Sequence, residues 1–305
     1  MPVEGRRISD GSRRLGGVPN VAAALGCPWG PAASGKKMAS QLLRIRALVG
    51  KELLDLARNR TALVPVMLVT ILTLAMAFFI AIVVPSMTGH ALSEDTELLK
   101  LSRLIGAHGT LSDDGQIELF FFQQFLMLFL VIPVTGAMAL ASHSVVGEKQ
   151  ARTLEPLLAT PITTLELLVA KVLGALLPTL AISLAGLVLY FAGIAVFGES
   201  GVLRAMASAR TAALVLLVAP AAALVSLQSA IVISSRVNDP RTAQQFGVMI
   251  IIPLSALLIA QFMGTVWLSA TALALIGLGL AGLWILLTLF SVAIFERESI
   301  LTRWR

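Results

Sequence analysis

Five stretches of the chain contain no Asp, Glu, Lys or Arg: residues 61–93, 119–147, 172–198, 211–235 and 242–295. A helix needs ~20 apolar residues to cross a hydrocarbon core of about 30 Å. The first four runs each hold one such helix, predicted near 61–84, 119–143, 172–197 and 211–235. The fifth is too long for a single crossing even when tilted. "QFMGTVW" (261–267) divides it into spans near 244–262 and 268–295. No run alternates polar with apolar residues, as barrel strands would. The pattern predicts an all-α polytopic membrane protein with six transmembrane helices.

The segments between the runs carry patterns of their own. In "MASQLLRIRALVGKELLDLARNR", Leu42, Ile45, Val49, Leu53 and Leu56 fall on one helical face. Arg44, Lys51, Asp55 and Arg58 cluster opposite, while Arg46 lies near the apolar stripe. A basic amphipathic helix leading into a span predicts an interfacial helix on the inner leaflet. Between spans two and three, "GEKQARTLEPLLATPITTLELLVAK" (147–171) is dense in charge. Holding Glu148, Lys149, Arg152 and Glu155 in hydrocarbon would cost on the order of 10–14 kcal/mol at ~2.5–3.5 each. The segment therefore lies outside the membrane core. Leu154, Leu157, Leu158, Ile162, Leu165 and Leu168 recur at spacings of three and four, so it is helical with an apolar face. Thr160–Pro161 predicts a break with an N-cap, and "TTLE" (163–166) a capping box into span three.

Charge fixes the orientation. Of the 23 Lys and Arg residues, 19 fall in 1–60, 144–171, 236–246 and 296–305, all on one side of the six-span arrangement. By the positive-inside rule both termini are cytoplasmic. The net charge of +6 is a consequence of that topology, and no nucleic-acid partner follows from it. The single cysteine, Cys27, excludes a disulfide framework within the chain. Residues 1–37, rich in Gly, Pro, Arg and Ser, predict disorder, or an extension upstream of a true translation start at Met38. "GPAASGKK" (30–37) nearly matches a phosphate-binding loop but has Lys37 where the metal-binding hydroxyl belongs. It is read as chance. Residues 38–305 form the six-span transmembrane region.

"GEKQARTLEPLLATPITTLELLVAKVL" resembles the cytoplasmic loop of the type-2 ABC exporter permeases, including those grouped with sodium and drug export systems. Gly147, Glu148, Lys149, Thr153, Leu154, Glu155, Leu157, Leu158, Pro161 and Lys171 match in order. "SSRVNDPRTAQQFG" (234–247) is similar to that family's second inner loop, and "FERESILTRWR" (295–305) to its C-terminal tail. The resemblance spans 38–305 and implies a membrane permease of an exporter, in a bacterial-type plasma membrane. It implies a partner, a cytosolic ABC ATPase carrying ATP and Mg, with no cofactor on this chain. It also implies pairing with a second permease, as a homodimer or a heterodimer. Glu148, Lys149, Arg152, Thr153 and Glu155 then belong to a coupling helix that contacts the ATPase, with Arg241 as a second contact.

No catalytic constellation accompanies these motifs, so the chain reads as a transport subunit and not an enzyme. A single-component secondary transporter or channel is the rival reading. Such a protein is expected to hold a carboxylate at mid-span, and none of the runs does. Polar groups at membrane depth are amides and hydroxyls; Gln124, Gln228 and Gln261 are the candidate pathway residues. His90 and His108, 18 residues apart, lack metal-ligand spacing.

Overall fold

The computed structural model describes residues 31–58, 60–88, 92–94, 96–104, 111–150, 163–237 and 239–294. Every element among them is helical. The chain divides into two units, residues 1–42 and 43–305. In the first, the described residues are the start of α1 (Pro31–Arg58). The second holds the rest of α1 and everything after it.

Five helices among the described residues are long and apolar enough to cross a membrane: 63–87, 113–148, 165–197, 209–236 and 270–292. They coincide, to within a few residues at most ends, with five of the six predicted spans. The sixth, predicted at 244–262, falls on the helix α11 (Pro240–Phe262), several of whose side chains lie outside the described residues. Helices turn Leu68, Leu184 and Leu286 outward, as expected where the surrounding solvent is itself hydrocarbon.

The second span is much longer than the predicted 119–143. It begins where Ser112 caps the Gly115 N–H, with Asp113 and Asp114 in the first turn facing the positive helix end. Two segments make it up, α5 (Asp113–Leu128) and α6 (Val131–Gln150). The break at Phe129–Leu130 has a clear cause: Pro133 has no N–H, and its ring meets the carbonyl of Phe129. The turn tightens instead, with Leu130 N–H on Met127 O at 3.0 Å and Ile132 N–H on Phe129 O at 3.2 Å.

Two other spans widen where this one tightens. π-turns at Phe79–Val83 and Leu214–Val218 each precede a proline by two residues, Pro85 and Pro220. The first turn joins α2 (Arg60–Phe78) to α3 (Val84–Thr88); the second joins α9 (Ala209–Ala213) to α10 (Ala219–Arg236). Val84 N–H bonds Phe79 O and Ala219 N–H bonds Leu214 O, five residues back, which carries the carbonyl rows past the rings.

The α5–α6 span is the central one, and α6 packs along α10 and against α7 (Thr164–Phe197). One core gathers around Tyr190, with Phe78, Phe122 and Phe129 at ring-centroid distances of 5.9, 5.8 and 5.3 Å. The Tyr190 hydroxyl donates to Phe122 O at 2.6 Å. Tyr190→Phe keeps the ring packing and removes only that bond. It is expected to cost about 1 kcal/mol, read as a small drop in melting temperature in detergent. The second core lies between α6 and α10, around Leu140, Leu227 and Ile231. On the other face of α10 runs α12 (Ala270–Ile294), where Gly277 sits against Leu217. The small-residue stretch 277–282 thus makes its helix contact through Gly277, whereas Gly279 and Gly282 meet nothing.

Candidate functional site

At the α6 C-terminus, charged side chains from three helices meet out of solvent. Glu52 of α1, Glu148 of α6 and Lys171 of α7 are only 3 to 8% exposed. Lys171 Nζ lies 2.6 Å from Glu148 Oε2, 3.3 Å from Glu52 Oε1 and 3.1 Å from Ser144 Oγ. The ammonium donates hydrogen bonds to Glu52 and Ser144, and Glu148 is its close ion-pair partner. The Ser144 hydroxyl donates a hydrogen bond to Glu52 Oε2 at 2.6 Å, and Lys51 donates to Glu148 Oε1. Two carboxylates and two ammoniums leave the node neutral. Desolvating such charges is expensive, and full pairing is what offsets the cost.

The local sequence explains the convergence. Ser144 and Glu148 are four apart and share a face of α6. On α1, Val49, Glu52, Leu53 and Leu56 fall on the half-buried face, with Glu52 on the face that carries the apolar stripe. Gly174 of α7 lets α1 approach, since a Cβ there would lie 2.5 Å from Glu52 Cβ. Lys51 is at the rim. Burial pulls its pKa down, but the bond and charge of Glu148, helped by Glu52 and Asp55, outweigh that and raise it above the ordinary lysine value.

A second tie lies beside the first. Thr163 caps α7, accepting from Glu166 N–H at 3.2 Å while Glu166 Oε2 accepts from Thr163 N–H at 2.9 Å. This is the capping box expected at 163–166. The same Glu166 accepts from Arg44 Nη2 at 2.9 Å. Glu148 stands just before residues 151–162 and Glu166 just after them, and both are held by α1. The connection between α10 and α11 is built more simply: Asp239 caps α11 through the Thr242 N–H, with Pro240 in the first turn. Donation from the Thr242 backbone holds the Asp239 carboxyl below its ordinary pKa.

The residues singled out in the sequence are distributed as follows. Glu148 belongs to the buried node; it is not the solvent-facing charge that a place in a loop suggested. Arg241 is exposed in the first turn of α11. Arg152, Thr153 and Glu155 lie outside the described residues, as do the Lys149 side chain, His90 and His108. Glu52, Ser144 and Lys51 were not singled out. The available signal was an acid on the apolar face of α1, and a serine one turn before Glu148.

The three membrane-depth glutamines are all fully buried and join helices. Gln124 of α5 donates to Gln261 O of α11 at 3.1 Å. Gln228 of α10 donates to Ser291 Oγ of α12 at 2.6 Å, and Ser291 in turn donates to Leu287 O. These bonds give the Gln124 and Gln228 amides a structural use, whereas Gln261 takes part through its backbone carbonyl and its buried side-chain amide has no partner among the described residues.

A multi-pass helical bundle with a buried ionic joint at one end defines the class: a polytopic membrane protein in which α1 is tied to two of the membrane-capable helices. The profile of the ABC-2 family transporter proteins matches residues 46–297, and the chain belongs to that family; it is an ABC-2 type permease. Among curated proteins, none matches it.

Proposed function

We propose that this chain is the membrane-spanning subunit of an ABC exporter in a bacterial-type plasma membrane. It moves its cargo outward with ATP hydrolysed on a separate cytosolic ATPase, which carries the ATP and Mg. Six spans with both termini cytoplasmic, and a second permease beside it, complete the assembly.

The observation that carries the reading is the double anchoring of residues 151–162. Glu148 before the segment and Glu166 after it are both bonded to α1, through Lys51 and Arg44. Lys171 adds the direct tie between spans two and three. A push on this segment would not be absorbed by loose loop ends. It would reach α1, α6 and α7 together. In this reading Arg152, Thr153 and Glu155 contact the ATPase, Lys149 and Arg241 flank that contact, and Glu148 transmits the load through the joint. Gln124, Gln228 and Gln261 hold the helices that rearrange around the pathway.

The test is affinity purification of the tagged chain from native membranes in mild detergent. A soluble ATPase is expected in near-equal amount, and Arg152→Glu is expected to lose it without changing membrane insertion. A chain that is solitary in every detergent would give first place to a single-component transporter or channel.

A further inference from the structure

The end of the bundle opposite the ionic joint carries a second unassigned feature. A cavity of about 250 Å³ opens between the α5–α6 break, α7 and the π-turn at 214–218. Leu126, Phe129, Pro133, Leu187, Leu214 and Pro220 line it, and Ser183 is its one polar side chain. The space is many times what a single water needs, yet it offers water too few partners to hold it. Residues 214–220 begin roughly 8 Å and end roughly 17 Å along the span that starts at Ala209, at 1.5 Å per residue. Leu184 and Leu216 at its edge are 61 and 75% exposed, so the cavity is continuous with the lipid-facing surface. The prolines make it: the tightened turn above Pro133 and the widened turn before Pro220 keep these spans from closing on α7.

One helical turn outward of Leu214 and Leu126 stand Arg210 and Gln123. Arg210 donates through Nη1 to Gln123 Oε1 and through Nε to Leu268 O, and its guanidinium lies 3.6 Å from the Trp267 ring centroid. Its remaining terminal nitrogen, Nη2, is buried and has no acceptor among the described residues. No ion pair joins Arg210 to a described carboxylate. A partly buried cation at the membrane interface, left without a counter-charge by the described residues, favours an anion from outside.

We propose that this cavity and Arg210 together form a lateral binding site for an anionic phospholipid of the adjoining leaflet. One acyl chain fills the cavity between the α5–α6 break and the π-turn, and the phosphate-bearing head lies against Arg210. The proposal rests only on the membrane placement of the bundle and is independent of any ATPase partner.

The test uses the full chain in phosphatidylcholine nanodiscs doped with a phospholipid bearing a photoactivatable group midway along one acyl chain. Labelled peptides are mapped after illumination. Label is expected to concentrate on residues 180–187 and 214–220 relative to the exposed face of α2. A phosphatidylglycerol probe should label them about fivefold more than a phosphatidylcholine probe, the ratio set by one interfacial charge. Arg210→Gln should bring the two probes to parity without moving the labelled positions. Ser183→Phe should empty the cavity of label and leave α2 labelling unchanged. Equal labelling of cavity and α2, or equal labelling by the two probes in the unmodified chain, would overturn the proposal. Neither comparison depends on a variant folding. Native chain that yields a non-phospholipid amphiphile cross-linked at 180–187 would equally overturn it.

Discussion

Lys171→Met is expected to cost the folded chain about 3–5 kcal/mol, the usual consequence of removing one member of a buried ion pair. Glu52 and Glu148 would remain, both buried and both negative. Lys51 alone would face them, at the rim of the site and 3.9 Å from Glu52. The methionine matches the lysine stem in bulk, so packing is nearly preserved and the loss is electrostatic. Thermal unfolding in detergent should show a markedly lower midpoint. Restoring neutrality with Glu52→Gln and Glu148→Gln in the same chain should recover much of that stability. If the single variant were as stable as the parent, the joint would not be a closed buried network. Stability and coupling should separate in the triple variant, which keeps the fold but has lost the ionic tie between α1 and the two spans.

Gly174→Leu is the second large effect, and it reaches the joint through sterics. The space a Cβ would need is occupied by Glu52 Cβ at 2.5 Å, and this is α1 close to its own backbone, not a flexible tip. The added side chain must lever α1 away from α7, separating Glu52 from Lys171 without altering any charge. Spin labels placed at the exposed Leu54 of α1 and Leu177 of α7 should report a longer separation in the variant than in the parent background. Ordinary overpacking costs ~1–3 kcal/mol, and losing the buried pairing adds to it. Co-purification of the ATPase should fall with it. A variant with α1 still docked would show that the close approach is not what holds the joint.

Much of this architecture was legible in the sequence because a membrane imposes one requirement that composition reveals directly. Runs without charge, long enough to span, marked five helices that the structure contains. The ends were harder. Span two extends back to Asp113 because Ser112 and two acids stabilise its first turn, so Glu118, the acid that ends the charge-free run, lies inside the helix. The π-turns left no trace in hydropathy; only Pro85 and Pro220 mark them, and a proline alone does not say whether a helix tightens or widens ahead of it. The capping box at Thr163–Glu166 was readable from four residues, since its partners are local.

The ionic joint was half legible for the opposite reason. Glu148 and Lys171 drew notice through their place in the motif, but their partners are remote in sequence. Lys51 and Glu52 lie about a hundred residues before Glu148. Only the fold brings α1 across the ends of α6 and α7. Glu52 breaks the apolar stripe of α1, a local inconsistency that points to a buried partner even when that partner cannot be named. The glutamines teach a similar lesson: Gln228 donates to Ser291 across α10 and α12, a pairing no single span discloses.

The central claim is that residues between the two anchored ends receive force from a cytosolic ATPase. The most direct measurement is photo-cross-linking in intact cells from an unnatural residue substituted at Thr153, followed by mass spectrometry of the product. The account predicts a single dominant adduct with a soluble ATPase containing its own nucleotide-binding motifs, reduced when Lys171→Met loosens the joint. Adducts confined to lipid or to the chain itself, under conditions where the exporter is active, would contradict it.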